Sequence, residues 1–328
     1  MRRFLCSSAA VAALVCLPHL AQAQAVSYPT KPVTIRVAYP PGGPADVAIR
    51  SYTPTLTKQL GQPMVVENVP GASGSIATAG VLRSAPDGQT LLGIVGFDAI
   101  TAPTVVPAVK YKPENLRAVA VTQLSELVLI SGPKHAFKNA DEVIEYAKLN
   151  PGKLTVANWG NGSITHVAAA EFADKAGIKL LQVPYKGAAP VLTDLINGSV
   201  DITFFPLAGT LLGQIKAGNL KPIAIAGDRR SPQLPDVPAI AESKSIKSFV
   251  YTIWSGIFAP KGTPEATIMR LNAVLGSHMA SETWRAEQIA VGATLLTPMN
   301  VKQTDDFYNA EVKKIEAAVK SLPLETKQ

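Results

Sequence analysis

The feature that most constrains the fold is a strand that ends in a glycine turn and leads straight into a helix, over residues 33–60. Apolar side chains alternate along the strand at Val33, Ile35, Val37 and Tyr39. Pro40 cannot continue a β-ladder because proline has no N–H donor, and Gly42 and Gly43 permit a sharp turn before an apolar helical pattern that stops at Gly61. The first N–H groups of such a helix are unpaired and lie at the positive end of its dipole, so an anion can bind there. An ordinary βα turn has the same pattern, so both interpretations stay open.

The second half of the chain repeats this design. A strand over Leu154–Ala157 leads into the glycine-rich loop Asn158–His166 and then into a helix. Between and after these junctions strands and helices alternate, with a short helix predicted over Pro190–Asn197 and a last amphipathic helix over Val301–Lys320. Alternation of this kind predicts an α/β protein whose sheets are rich in parallel strands.

Two further strands flank the second unit and predict how the chain is divided. Arg117–Leu124 and Phe249–Phe258 have strand patterns on either side of it, so we expect two crossover segments. The predicted boundaries are residues 1–23 for a signal peptide, 24–122 with 252–328 for the first lobe, and 123–251 for the second lobe.

The amino terminus has the pattern of a secretory signal. Arg2 and Arg3 precede an apolar run over residues 9–17, and Ala21-Gln22-Ala23 fits a cleavage site near Ala23. Removing 23 of the 328 residues leaves 305 that contain neither Cys6 nor Cys16, so the mature chain has no thiol for a disulfide, a nucleophile or a metal. We expect an exported, periplasmic protein that is monomeric.

Charge and residue content exclude several functions. The formal net charge is +7, but Lys and Arg are spread along the chain rather than gathered on one basic face, which argues against nucleic-acid binding. The mature histidines His135, His166 and His278 lie far apart, so no metal site is predicted. No Gly-x-Ser-x-Gly motif occurs; an exported hydrolase using Ser163 and His166 remains an alternative function.

Several short motifs, in order along the chain, resemble the periplasmic substrate-binding receptors of tripartite tricarboxylate transporters, the TctC or Bug family. They are Tyr39-Pro-Pro-Gly-Gly-x-x-Asp46, Val66-Glu-Asn-x-Pro-Gly-Ala72, Ala85-Pro-Asp-Gly88, Pro151-Gly-Lys-Leu154, Gly160-Asn-Gly162, Val183-Pro-Tyr-Lys-Gly187, Leu192-Thr-Asp-Leu195, Leu234-Pro-Asp-Val-Pro238 and Ala259-Pro-x-Gly-Thr-Pro264. The resemblance implies a two-lobed type II periplasmic-binding-protein fold, no cofactor and no catalysis. It also implies a small organic carboxylate held between the lobes and membrane permease subunits that receive it.

Carried over position by position, the resemblance predicts ligand contacts from both lobes. These are Tyr39, Pro41, Gly42, Gly43, Asp46, Ser73, Gly74, Phe97, Asp98, Trp159, Gly160, Asn161, Gly162, Ser163, Thr165, His166, Tyr185 and Phe205. Asp46 can instead cap the first turn of its own helix, and His166 can be a simple helix-end residue.

Two of these positions depart from the family pattern. Trp159 stands where a small residue is common, and Phe205 stands where many members have an aspartate. Only one of Phe204 and Phe205 can face the cleft, because strand neighbours point to opposite sides. If Phe205 does, the site has lost a partner for an ammonium group and gained apolar surface, which favours an aromatic or apolar carboxylate over aspartate, glutamate or citrate. A periplasmic sensor that passes ligand occupancy to a membrane partner is a further alternative.

Overall fold

A computed structural model describes residues 28–290 and 294–320. The predicted signal peptide, its cleavage site and both cysteines lie outside the described residues. No helix among the residues described is long and apolar enough to cross a membrane.

Nine strands of the described chain form one sheet in which the outer pairs are parallel and the central pairs antiparallel. They are β1 (Val33–Val37), β2 (Met64–Asn68), β3 (Thr90–Val95), β4 (Leu116–Ser131), β5 (Thr155–Asn158), β6 (Leu181–Pro184), β7 (Ile202–Pro206), β8 (Lys221–Ile225) and β9 (Thr252–Pro260). The order is β2-β1-β3-β9-β4-β7-β5-β6, with β8 also paired to β4.

The long strand β4 joins two α/β halves. Its residues 116–126 pair with β9, and its residues 127–131 pair with β7 and β8. We call the half built on β1, β2, β3 and β9 the first lobe, and the half built on β5 to β8 the second lobe. The chain returns at Tyr251, whose N–H donates to Ala226 O and whose carbonyl accepts from Leu127 N–H. The predicted α/β fold with two crossovers is thus confirmed, whereas the exact lobe boundaries stay a prediction.

Ten helices of the described chain cover the sheet. They are α1 (Pro44–Leu60), α2 (Ser75–Leu82), α3 (Gly96–Val105), α4 (Ala140–Leu149), α5 (Ile164–Ala176), α6 (Ala188–Ile196), α7 (Gly209–Lys216), α8 (Glu265–Ala280), α9 (Glu282–Ala290) and α10 (Val301–Lys320). Helix α1 begins at Pro44, and a proline is suited to this position because the N–H that it lacks would be unpaired there. Gly61, in the left-handed conformation, follows its last residue and ends the helix.

Several boundaries differ from the sequence prediction. The first crossover strand, predicted over Arg117–Leu124, runs over Leu116–Ser131 as β4. Helix α6 begins at Ala188 rather than Pro190, because a proline is tolerated within the first helical turn. Strand β9 begins at Thr252, and Phe249 instead packs against Phe172 and Phe204 in the core of the second lobe.

The last helix packs on the first lobe, as its pattern predicts. Ile315 and Val319 of α10 are buried, and α10 contacts α3, α8 and β4. Trp254 of β9 donates its indole N–H to Glu311 at 2.9 Å, so one polar contact fixes the helix to the central strands.

Candidate functional site

A narrow cavity lies between the lobes, next to the central strands. Its volume of about 20 Å³ has room for about one water molecule. The lining residues come from both lobes and from the strands that join them: Tyr39, Gly43, Pro44, Ala45, Val95, Gln123, Trp159, Ala188, Pro206, Ile253 and Ser255.

Two helices begin at this cavity. Gly43, Pro44 and Ala45 form the start of α1, and Ala188 is the first residue of α6. Neither helix has a side chain capping its amino end. Among the described residues that line the cavity none is Lys, Arg or His. An anion here would therefore be held by helix dipoles and backbone N–H groups rather than by a cation.

Trp159 lines the cavity and has an unused hydrogen-bond donor. The residue is only 4% exposed, and its indole Nε1 has no hydrogen-bond partner in the described part of the chain. Its ring packs edge-on against Tyr39 of the first lobe and Phe205 of the second, at centroid distances of 6.4 and 5.6 Å. Because a buried N–H without an acceptor costs free energy, a bound oxygen acceptor would satisfy it.

Tyr39 connects the cavity to a buried carboxylate. Its ring lines the cavity, and its hydroxyl donates to Asp98 Oδ2 at 2.8 Å and accepts from Val95 N–H at 3.1 Å. Asp98, in the first turn of α3, is fully buried, and its Oδ1 accepts the Ile164 N–H of the second lobe at 2.9 Å. Burial raises the pKa of Asp98 to about 7, although the hydrogen bonds from Ile164 and Tyr39 act in the opposite direction.

The glycine-rich loop of the second lobe packs directly on the first lobe. Ser73 Oγ donates to Asn161 O at 2.6 Å, and the Thr101 hydroxyl donates to Gly162 O. Gly160 has a φ of +117°, and a Cβ there would lie 2.9 Å from Ser73 Oγ. Gly74 is enclosed within the first lobe, where a Cβ would meet the Ile94 side chain at 2.6 Å. These residues therefore act in the contact between lobes or in the fold beneath it.

The first glycine loop is stabilised by Asp46, whose carboxylate accepts the N–H of Gly42, ahead of the helix rather than in its first turn. Pro41 and Gly42 are exposed, and the Asp46 carboxylate accepts from Gly42 N–H, Arg50 Nε and Asn68 Nδ2 at 2.8–3.0 Å. Burial opposes ionisation of Asp46, but these hydrogen bonds outweigh it and lower its pKa. The carboxylate is occupied by protein partners.

Ser163 and His166 have structural partners in the loop. Ser163 caps α5 by accepting the His166 N–H at 3.3 Å, and its hydroxyl lies 3.1 Å from Thr165 Oγ1. His166 Nδ1 accepts the Gly162 N–H at 3.2 Å, and burial lowers the pKa of the ring. Thr165 Oγ1 in turn accepts the backbone N–H of Trp159 at 3.0 Å. These contacts fix the loop, and nothing in them is specific to a hydrolase.

The remaining predicted residues lie around the cavity without lining it. Tyr185 donates its hydroxyl to Asp194 at 2.7 Å, and burial followed by this contact raises its pKa to about 12. Phe97 is buried near Tyr251. Phe205 packs behind Trp159, whereas Phe204 packs against Phe172, so Phe205 is on the cleft side.

Of the predicted site residues, Tyr39, Gly43 and Trp159 line the cavity. Sequence reasoning missed Gln123 and Ser255, which are paired neighbours on β4 and β9. Their polar side chains within otherwise apolar crossover strands were the sequence signal that could have indicated a place in the site. It also missed Ala188, because the helix was expected to begin two residues later. No group of residues that could hold a metal ion occurs in the described ranges.

Comparison with known proteins agrees with this architecture. The family described as "Tripartite tricarboxylate transporter family receptor" matches residues 48–324. Protein BugT of Bordetella pertussis (strain Tohama I) is 35% identical over 304 residues, which is 90% of each chain. Among solved structures, MatC (Rpa3494) from Rhodopseudomonas palustris with bound malate superimposes with a TM-score of 0.83 at 28% identity, covering 89% of this chain and 100% of that one. The periplasmic binding protein BugD superimposes with a TM-score of 0.82 at 32% identity, covering 89% and 98%.

The fold and the cleft thus define a two-lobed solute-binding protein of the periplasmic type. More specifically, the chain belongs to the tripartite tricarboxylate transporter receptor family, the TctC or Bug family, as its motifs predicted.

Proposed function

We propose that the mature protein is a non-enzymatic periplasmic receptor that binds a small organic carboxylate between its lobes. It delivers this ligand to the membrane subunits of a tripartite tricarboxylate-type transporter. The observation that carries the proposal is the cavity where α1 and α6 begin, which is lined by Trp159, a residue with an unpaired indole N–H, and has no cation among its described lining residues. Family membership and the malate bound to MatC support a carboxylate as the ligand.

The ligand of this receptor is an aromatic or apolar acid. The described lining contains no carboxylate to pair with an ammonium group, and its side chains are largely apolar or aromatic. Apolar contact contributes about 25 cal/mol for each Å² removed from water, before the costs of association are subtracted. An amino acid would bury its ammonium group here without a partner.

Calorimetry and product analysis test the receptor proposal directly. The mature protein is titrated with malate, glutamate, citrate, adipate and terephthalate, and each acid is analysed after prolonged incubation. We expect one-to-one binding with the acid recovered unchanged. Conversion of an acid would favour the hydrolase, and tightest binding of glutamate or citrate would contradict the ligand preference.

A pair of variants tests how the anion is held. A Cβ at Gly43 meets only Pro40 O at 3.6 Å, so Gly43→Val should fold, yet its branched side chain obstructs the start of α1. We expect affinity to fall about tenfold or more. Lys186→Met is the control, since Lys186 is exposed and does not line the cavity. Loss of binding only in the Lys186 variant would show that a cation holds the ligand.

A transport receptor and a sensor differ in where the bound ligand goes. Uptake of the identified acid by a strain that lacks the receptor gene, with and without the gene restored, distinguishes the two. Recovery of the mature protein from the periplasmic fraction, and its terminal sequence, would test export and cleavage near Ala23.

A further inference from the structure

Asp98 brings a carboxylate of the first lobe to the amino end of a helix in the second lobe. Its Oδ1 accepts the N–H of Ile164, the first residue of the 13-residue helix α5, at 2.9 Å. Its Oδ2 accepts the Tyr39 hydroxyl at 2.8 Å, and the side chain is fully buried. A helix end of this kind favours a carboxylate. In this protein Asp98 supplies that carboxylate.

Three other N–H groups around the start of α5 are also used within the protein. Gly162 N–H donates to His166 Nδ1 at 3.2 Å, Ser163 N–H donates to Gly160 O at 3.0 Å, and His166 N–H donates to Ser163 Oγ at 3.3 Å. A ligand carboxylate could bind at this position only if Asp98 were displaced.

The cavity on the other side of Tyr39 offers one position for an anion. There the starts of α1 and α6 and the unpaired N–H of Trp159 are available. The rest of the wall includes the polar but uncharged Gln123 and Ser255, together with Val95, Pro206 and Ile253, whose side chains cannot solvate a charge. A second carboxylate that extended past Tyr39 would meet the Asp98 carboxylate, and like charges in a poorly solvated site repel strongly.

We propose that Asp98 is a specificity-determining residue that restricts the ligand to acids with a single carboxylate. It does so by accepting the Ile164 N–H at the start of α5 and by placing a buried carboxylate next to Tyr39. The inference rests on the proposed function and makes it narrower. The preferred ligand is a monocarboxylate with an uncharged, apolar body.

Matched pairs of acids test this inference. Butanoate and succinate, hexanoate and adipate, and benzoate and terephthalate differ within each pair by one carboxylate. Calorimetry at about pH 8, where the acids are ionised, compares the wild type with Asp98→Ala and Asp98→Asn. For every pair that binds, we expect the wild type to favour the monoacid by about tenfold or more. In Asp98→Ala the affinity for the diacid should rise about tenfold relative to that for the monoacid.

Asp98→Asn keeps the size of the side chain and an acceptor for Ile164, so it isolates the charge. We expect the affinity for the diacid to rise in this variant too, by less than in Asp98→Ala. If the alanine variant does not fold, Asp98→Asn alone tests whether the charge of Asp98 disfavours diacids. A wild type that binds diacids as tightly as monoacids overturns the inference while leaving the receptor proposal standing. The inference is also overturned if the ratio of diacid affinity to monoacid affinity is the same in the folded variants as in the wild type. If no acid binds the wild type, the proposed function itself is wrong.

Discussion

At the scale of single residues, Trp159 and Asp98 have the clearest consequences. Trp159 combines a large apolar ring with one unsatisfied N–H at the cavity wall. Asp98 is a fully buried acid whose partners, Tyr39 and Ile164, belong to different parts of the fold. Buried polar groups are seldom left without a hydrogen-bond partner. We therefore expect Trp159 to affect ligand affinity and Asp98 to affect the pH dependence of stability.

Replacing the indole N–H of Trp159 should weaken binding. Trp159→Phe keeps a ring but removes the donor, and a hydrogen bond to a charged acceptor contributes about 1.5–3 kcal/mol. We expect the dissociation constant of the acid to rise about tenfold or more, measured by calorimetry. Trp284→Phe is the matched control, because the Trp284 N–H is also buried without a described partner but does not line the cavity. Equal effects of both variants would refute a ligand contact at Trp159.

Asp98 should also make stability depend on pH. An unfolded aspartate ionises near pH 3.9, whereas burial raises the pKa of Asp98 in the folded protein to about 7. Between these values the folded state holds the extra proton, so this residue's contribution to the free energy of unfolding falls as the pH rises from about 4 to about 7. Asp98→Asn should therefore gain stability relative to the wild type over that range, by about 1.4 kcal/mol for each unit of pKa shift. Denaturant unfolding from pH 4 to 8 measures this, and identical pH slopes would contradict it.

At the scale of elements, the start of α3 is fixed by close packing against β9. Gly96 is the first residue of α3, and a Cβ there would lie 2.0 Å from the Trp254 ring. Trp254 also binds α10 through Glu311, so this one contact connects the helix that carries Asp98 to the last helix of the first lobe.

Adding a methyl group at Gly96 should destabilise the protein. Gly96→Ala forces the Trp254 ring to move, and overpacking of a core typically costs about 1–3 kcal/mol. Gly213→Ala is the control in helix α7, where a Cβ meets nothing within 4 Å and should stabilise by about 0.5–1 kcal/mol. Thermal unfolding followed by circular dichroism compares the two variants. A Gly96→Ala protein as stable as the wild type would mean that Trp254 has room to move.

At the scale of the whole molecule, binding depends on how closely the lobes approach. Ser73, Thr101 and Asp98 of the first lobe bond to backbone groups of the loop that begins α5. Glycine at position 160 permits this approach, because it adopts a φ of +117° and leaves no side chain between the lobes.

A side chain at Gly160 should hold the lobes apart. We expect Gly160→Val with saturating ligand to have a larger radius of gyration in X-ray scattering than the wild type, and about tenfold or weaker affinity. Gly152→Val is the control, since Gly152 also has a positive φ but a Cβ there would meet nothing within 4 Å. It shares the backbone strain without the steric contact. A Gly160 variant as compact as the wild type would show that the lobes close by another route.

Patterns that depend on neighbouring residues were predicted from the sequence well. The glycine turn before α1 and the helix over Val301–Lys320 were predicted from local spacing. The ordered motifs identified the family. Tyr39, Gly43 and Trp159, which were predicted as ligand contacts, line the cavity. The contact between the glycine-rich loop and the first lobe could not be predicted from the sequence, because the residues that the loop bonds to lie about 60–90 residues away along the chain.

The sequence by itself determined the strand and helix order, the fold class and the family, because these depend on local periodicity, proline and glycine positions and short motifs. Only the tertiary structure decided which helix ends are free to bind an anion. The starts of α1 and α5 follow the same strand–glycine–helix pattern in the sequence, yet the start of α1 faces the cavity, whereas Asp98 lies against the start of α5. The physical reason is that occupancy of an N–H group depends on which distant side chain the fold brings within about 3 Å of it.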